Sequence, residues 1–237
     1  MKTVFWKAVF SLTLMVGLLF SGVSLVFGVE APGLTAGESS RYNTTFAGSG
    51  TSYAAQAGNV TELNLAGTQV TAHWAGFYGN VTGNLTLEDG TGNVFYDWVG
   101  IGTPAGEVFA SNTSTVDWTS IACANAANLT STDTFLGMTS SDPDSVFNTF
   151  GSPSHEGFDV AGITISANSC NSTNAYTNAG QDAAFFTQVL LSDSLNVPVF
   201  TTILNASATG FRNTPVDFEL LAGVPGSGTL YFFIELG

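Results

Sequence analysis

Apolar residues are densest at the end of the chain. Two apolar runs, Val216–Leu221 and Thr229–Leu236, flank a segment rich in glycine, proline and serine, a pattern typical of a hairpin with a longer loop. Within the second run, Leu230 to Ile234 are consecutively apolar, which predicts a strand covered by protein on both faces. We therefore predict that this strand is central in the main sheet.

Shorter strand-like runs recur through most of the chain, separated by turns rich in glycine. Gly76, Gly79 and Gly83 interrupt the longest of them and predict bulges or a bend. The predicted strands are Val60–Leu65, Gln69–Leu87, Val94–Val99, Gly106–Ser111, Phe158–Ala167, Ala184–Leu191 and Val197–Leu204, followed by the terminal hairpin.

The middle of the chain has a different pattern. Asp117 to Leu129 is rich in alanine, has apolar residues near helical spacing, and begins with a residue that can cap a helix. Pro143–Phe150 follows Asp142 and has proline at its first position and glycine just beyond its end. The predicted fold is thus all-β, an antiparallel β-sandwich or jelly roll with a small helical insertion at about residues 117–150.

The first 28 residues form a separate apolar segment. Lys2 and Lys7 precede an uninterrupted apolar run from Ala8 to Gly28, which favours a signal peptide; an uncleaved membrane anchor is the alternative, because the run approaches the ~20 residues that span a bilayer. Both interpretations place the remaining chain outside the cytoplasm. Residues 29–57 are small and polar with no persistent period, and predict a linker or extended arm before a single domain over residues 58–237.

The charge beyond Gly28 is strongly negative. The only bases there are Arg41 and Arg212, and two bases against 18 acids leave a net charge of −16. Nucleic acid is excluded as a partner, because neutralising phosphates requires clustered lysine and arginine. Chemistry that depends on lysine, such as Schiff-base formation, is excluded as well.

Two further features agree with export. Cys123 and Cys170 are the only cysteines, and an even number in an exported chain predicts one disulfide, closing a loop of about 48 residues. The N-x-[ST] pattern predicts a surface carrying N-linked glycans at some of its eight occurrences. The candidate asparagines are Asn43, Asn59, Asn80, Asn84, Asn112, Asn128, Asn171 and Asn205.

Catalytic signatures are scarce. His73 and His155 are the only histidines, and we interpret His155 as a solvent-exposed loop residue and His73 as a polar strand residue. Paired carboxylates could serve a hydrolase, but the candidates are numerous and more typical of caps and turns. They are Asp97, Asp117, Asp133, Asp193, Asp217 and Glu219. We predict no catalytic residues.

Two binding functions remain as alternatives. Asp142 and Asp144 place two carboxylates near a predicted helix start, a candidate Ca²⁺ site, although capping explains them equally simply. Trp74, Trp98 and Trp118, with Tyr78 and Tyr96, could stack on sugars, although large aromatic residues in a sandwich usually belong to the core.

In overall composition and order the chain resembles secreted envelope glycoproteins of prokaryotes, archaeal ones especially, including filament subunits joined by strand donation. The resemblance rests on the export signal, the absence of lysine beyond it, the sequons and the arm. It implies an extracellular structural or adhesive protein that associates with itself or with other surface proteins. In that arrangement an arm from one subunit completes the sheet of the next, and Leu34, Tyr42, Phe46 and Tyr53 would supply its apolar side chains. A carbohydrate- or Ca²⁺-binding module is the alternative, and an extracellular hydrolase comes last.

Overall fold

A computed structural model describes residues 54, 56–63, 69–83, 85–98, 105–177, 180–181 and 186–237. In chain order the strands are β1 Trp74–Gly79, β2 Leu85–Glu88, β3 Val94–Trp98, β4 Gly106–Ser111, β5 Ala122–Cys123, β6 Phe158–Val160, β7 Ile163–Ile165, β8 Ser172–Asn174, β9 Tyr176–Thr177, β10 Gly180–Gln181, β11 Thr187–Ser192, β12 Pro198–Ile203, β13 Ala208–Thr209, β14 Pro215–Val216, β15 Phe218–Gly223 and β16 Tyr231–Leu236. The helices are α1 Ala126–Leu136 and α2 Val146–Thr149, with 3₁₀ turns at Trp118–Ser120 and Phe211–Asn213. The predicted signal segment and nearly all of the arm lie outside the described residues.

The main sheet has six strands, all antiparallel, in the order β16-β4-β12-β11-β5, with β8 also paired to β11. Its centre is formed by β4, β12 and β11, whose residues are almost all buried. Side chains alternate between the faces, so Ala110, Phe200 and Leu190 point to one core and Phe109 and Val199 to the other. The chain is therefore an all-β protein with a small helical insertion, as predicted.

The first face of the main sheet is covered by a second layer. This layer consists of β1 paired with β15, together with α1 and α2. Trp74 of β1 reaches the core and contacts the rings of Phe150 and Phe200, with centroid distances of 6.1 and 5.8 Å. Leu220 and Ala222 of β15 complete this core, which makes the arrangement a sandwich of two sheets with helices at one end.

The second face is covered by smaller elements. The β6–β7 hairpin contributes Phe158, Val160 and Ile165, and Trp118 packs edge-on against Phe109 and Phe233. The segment predicted as one strand, Phe158–Ala167, is this hairpin, because Ala161 and Gly162 adopt positive φ and turn the chain.

The disulfide prediction is confirmed. Cys123 and Cys170 are bonded, with their Cα atoms 4.9 Å apart. The bond joins Cys123 of β5 to the segment just before β8. The strands β5 and β8 lie end to end along one edge of β11, because Cys123 is opposite Leu191 and Ser172 is opposite Val189. The cross-link thus fastens the junction of two short strands.

The prediction of a terminal hairpin with a central last strand is wrong. β15 pairs with β1 in the second layer, whereas β16 pairs with β4 and forms an edge of the main sheet. The turn-rich loop between them crosses from one layer to the other. The five consecutive apolar residues of this strand do need burial on both faces of the sheet. The two cores provide that burial at the edge of the sheet, so the strand does not have to be central.

The helix and strand boundaries also differ from the predictions. Asp117 caps the 3₁₀ turn, and α1 begins later, where Asn125 accepts N–H groups from the next turn in a capping box. α2 begins after Ser145, whose hydroxyl caps it, so the proline at 143 precedes the helix. The described part of the predicted strand at Val60–Leu65 is not a strand, and Val60 is fully exposed.

Candidate functional site

An open groove lies beside β1 in the described part of the chain. Its volume is about 1270 Å³. It lies between the second layer and the rim of the main sheet, and is lined by β1, β15, β8 and the approach to β16. The apolar residues exposed to it include Trp74, Phe77, Leu221, Leu230 and Phe232.

The groove exists because the second layer is narrower than the main sheet. Among the described strands β1 pairs only with β15, so its other backbone edge receives no described strand. Phe232, Ile234 and Leu236 of β16 point toward this side and are only half-buried. Phe77 reaches across this gap, with its ring edge-on to Phe232 at a centroid distance of 4.9 Å. One strand beside β1 would cover these side chains.

Buried polar side chains hold the two walls in place. Gln188 of the main sheet, 2% exposed, accepts the backbone N–H of Leu221 at 2.6 Å and so fixes the far edge of β15. Asp217, 7% exposed, accepts the N–H groups of Val81 and Ser207 at 3.0 and 2.8 Å. These bonds tie β15 to both neighbouring segments, and the groove is therefore a preformed feature of the fold.

Glu219 is the only acidic residue among those lining the groove. Burial raises its pKa, while the N–H of Phe211, which donates to Oε1, opposes that shift. The other candidate carboxylates are used locally: Asp193 accepts N–H groups of its own turn and of Asp117, and Asp133 accepts the N–H of Val146. Asp97 is exposed on β3. Among the described residues, Asp193 and Asp133 thus stabilise a turn and a helix start through hydrogen bonds.

Asp142 and Asp144 do not converge on a shared point. Asp142 accepts the N–H of Thr139 at 2.7 Å within its turn. Asp144 accepts the hydroxyl of Thr71 at 2.5 Å, and its carbonyl accepts the indole N–H of Trp74 at 2.7 Å. The described residues contain no group of three or more His, Cys, Asp or Glu side chains placed to hold a metal ion.

The interpretation of His155 as solvent-exposed is wrong. Its ring is 5% exposed, Nε2 accepts the N–H of Cys170 at 3.0 Å, and Nδ1 lies 2.6 Å from the carbonyl of Glu156. Because Nε2 accepts, the ring proton sits on Nδ1 and donates to that carbonyl. His155 thus supports the disulfide region. His73 is half-buried, with Nδ1 3.0 Å from the carbonyl of Leu136.

The aromatic candidates divide into two groups. Trp74 and Trp118 pack into the two cores, as expected for a sandwich. Tyr96 and Trp98, by contrast, are 55% and 49% exposed on the β2–β3 hairpin, with their ring centroids 4.8 Å apart. They lie on the same face of β3, so the structure leaves one exposed aromatic pair.

The described sequon asparagines differ in accessibility. Asn59 and Asn80 are exposed, and Asn112, Asn171 and Asn205 are half-buried. Asn128 is 4% exposed, and its amide nitrogen donates to Asn196 at 2.7 Å, so a glycan at Asn128 would have to displace this bond in the folded protein. Asn43 and Asn84 lie outside the described residues.

Comparison of the chain with known protein families, curated proteins and solved structures finds no match. None of the described helices is long and apolar enough to cross a membrane. The functional argument therefore rests on the geometry of the groove and on the sequence.

Proposed function

We propose that this protein is an extracellular structural subunit of a cell surface, and that copies assemble when the arm of one subunit enters the groove of the next. The observation that carries the proposal is the groove beside β1. It combines a strand edge that no described strand pairs with and a row of half-buried apolar side chains on β16.

An extended segment fits this groove better than a compact ligand. A strand added beside β1 would form backbone hydrogen bonds with that edge, and its alternate side chains would cover Phe232 and Ile234. Among the described residues that line the groove, Glu219 is the one that can carry a charge, so this lining favours an apolar occupant.

Residues 29–57 of another copy supply such a segment. They follow the predicted export signal, contain four spaced apolar residues of the right size, and contain too few apolar residues for a core of their own. Beyond Gly28 the chain has no lysine and carries a net charge of −16, so ion pairs contribute little between copies. Backbone pairing and apolar burial are the interactions that remain.

Deletion of Gly37–Ala57 tests the proposal. We expect the variant to be secreted as a folded monomer, whereas the intact chain forms higher assemblies, as measured by light scattering after size-exclusion chromatography and by electron microscopy. Added back as a free peptide, the arm should raise the melting temperature of the deleted protein with increasing concentration. A deletion variant that assembles like the intact chain would overturn strand donation.

A matched pair of substitutions checks the groove itself. Leu230→Arg places a charge at the apolar wall and should block assembly, while Leu195→Arg, at a residue 75% exposed and away from the groove, should not. Equal behaviour of the two variants would show that the groove takes no part.

Glycan binding is the second candidate function, supported by the exposed pair Tyr96 and Trp98. Trp and Tyr offer both an apolar face and a polar group, which suits stacking against sugar rings. Oligosaccharides added to the protein should then change its tryptophan fluorescence, and Trp98→Ala should abolish the change. The same response from Trp98→Ala and the unsubstituted chain would exclude this hairpin as the binding site.

A further inference from the structure

Two glutamates face each other at the junction of β4 and the edge strand β16. Glu107 and Glu235 are direct partners in the antiparallel register, so their side chains emerge on the same face of the sheet. The β6–β7 hairpin covers that face and brings a third carboxylate, Asp159, close enough to act on both glutamates electrostatically. Like charges placed directly opposite one another normally destabilise a pair of strands.

The two glutamates differ in their hydrogen bonds. Burial raises the pKa of Glu235 as well, but its Oε2 accepts the backbone N–H of Ala161 at 2.9 Å, which stabilises the ionised form and opposes that shift. Glu107 is only 6% exposed, and among the described residues no donor reaches its carboxyl group. On β12, the strand on its other side, it is opposite the apolar Ile203. No described base accompanies this group, so an ionised Glu107 would be buried beside two other negative charges.

The backbones of β4 and β16 approach each other unusually closely at this point. Gly106, immediately before Glu107, has φ of +117°, and a β-carbon there would lie 2.1 Å from the carbonyl oxygen of Glu235. The backbones of β4 and β16 therefore approach closely beside the pair, and only glycine permits this approach. Repulsion between the carboxylates of Glu107 and Glu235 would therefore weaken the pairing of β4 with β16.

We propose that a proton on the Glu107 side chain holds β16 against β4, and that its loss in alkaline solution loosens this edge strand. The consequence for the groove rests on the proposed function, because β16 contributes Phe232 to the groove wall. The proton switch itself requires only the fold.

The direction of the pH effect follows from the environment. Burial, together with the smaller effects of the charges of Glu235 and Asp159, raises the pKa of Glu107 from its ordinary 4.5 to about 8. The unfolded chain releases this proton near pH 4.5, so between the two values the folded state binds more protons. The contribution of Glu107 to stability is thus complete below pH 4.5 and is lost as the pH rises through about 8.

Hydrogen exchange of the secreted protein provides the test. After correction for intrinsic exchange rates, the protection of amides in Tyr231–Leu236 should fall by about tenfold or more between pH 6 and pH 9. Protection of Thr187–Ser192, in the interior strand β11, should change much less. If β16 loses no more protection than β11, the proposal is overturned.

Two variants separate the proton from other effects of pH. Glu107→Gln keeps the shape of the side chain without the ionisation and should abolish the pH dependence at β16. Glu88→Gln, at an exposed residue on β2, should retain it. A Glu107→Gln protein with the same pH dependence as the unsubstituted chain would contradict the proposal.

A direct titration decides the question even if Glu107→Gln fails to fold. The side-chain carboxyl carbon of Glu107, observed by NMR in the unsubstituted protein, should titrate near pH 8, and a midpoint close to that of an ordinary glutamate would overturn the inference. A midpoint close to that of an ordinary glutamate would not affect the proposal of strand donation. Unchanged assembly after deletion of the arm would refute strand donation and leave the proton switch standing.

Discussion

At one edge of the main sheet, β5 and β8 share the side of β11, and a disulfide joins them where they meet. At the other edge, the longer β16 lies along β4 without a disulfide, borders the groove, and contributes Glu235 to the pair of facing glutamates. The first edge contains Cys170, 1% exposed, and is supported by His155. The second has mostly half-buried residues.

The difference shows two ways in which a sheet can protect or use its edges. Exposed edge strands invite pairing with other chains. The disulfide-linked edge is made of very short strands held by a cross-link, which leaves little backbone to pair with. The β16 edge keeps a full-length apolar strand close to an uncovered groove, which suits a surface used for assembly.

Removing the cross-link should have the largest effect. Cys123→Ser combined with Cys170→Ser should lower the free energy of unfolding by about 4 kcal/mol, because the unfolded chain regains the entropy of an open loop. Urea unfolding of the variant and the unsubstituted chain measures this. Intact mass with and without reductant, differing by two hydrogens, verifies that the bond is present in the unsubstituted chain; an unchanged unfolding midpoint would contradict the prediction.

Truncating the packed side of β16 should rank second. Phe233→Ala, at a residue 9% exposed and edge-on to Trp118, should cost about 3 kcal/mol through lost burial and the resulting cavity. Tyr231→Ala on the same strand, 41% exposed, is the matched control and should cost less than about 1 kcal/mol. Similar losses for both would mean that β16 is not held by its side-chain packing.

The pH dependence should rank third and should distinguish the two edges. Stability should fall between pH 5 and pH 8 by about 2 kcal/mol through Glu107, less than its full pKa shift implies because water near the edge screens the charges. At the acid end, hydrogen bonds from Thr119, Ser120 and Ser194 lower the pKa of Asp117 to about 2, so stability should also decline as the pH falls from about 4 toward 2.

Melting temperatures measured across this range should therefore be highest near pH 4 to 5. The variant without cysteines should show the same pH profile at lower temperatures, since neither cysteine contributes to the pKa shifts of Glu107 and Asp117. A maximum at pH 7 or above would contradict the assignment of Glu107.

The smallest effect concerns a single hydrogen bond at the disulfide-linked edge. Asn171 donates from its side chain to the carbonyl of Ala124 at 3.1 Å, linking the segment before β8 to the one after β5. Asn171→Ala should lower the free energy of unfolding by about 1 kcal/mol. A loss well above that of a single hydrogen bond would indicate that Asn171 does more than link the two segments.

Much of the fold was predictable from local patterns. The alternating apolar runs predicted β4, β11 and β12 to within a few residues, because interior strands need apolar side chains on both faces. The two cysteines predicted their own pairing, since no other partner exists in the chain. The helical insertion followed from its alanine content and caps, although Asn125 rather than Asp117 starts α1.

The candidate site was less predictable, because it depends on which strands lie next to one another. The arm stays a prediction from composition, whereas the groove arises from β1, β15 and β16, which are distant in sequence or belong to different sheets. The burial of His155 also escaped prediction, because its partner Cys170 comes from across the hairpin. The glycine and proline residues around His155 predict a loop, and nothing in the local sequence predicts the contact with Cys170.

The sequence by itself determined the fold class, the cross-link and the net negative charge, because each depends on residue type and local spacing. Only the tertiary structure decided that the last strand is an edge, that β15 crosses to the second layer, and that Glu107 faces Glu235. The physical reason is that strand pairing is set by contacts between distant segments. An apolar run in the sequence predicts a buried strand, but the position of that strand in the sheet depends on its contacts with distant segments.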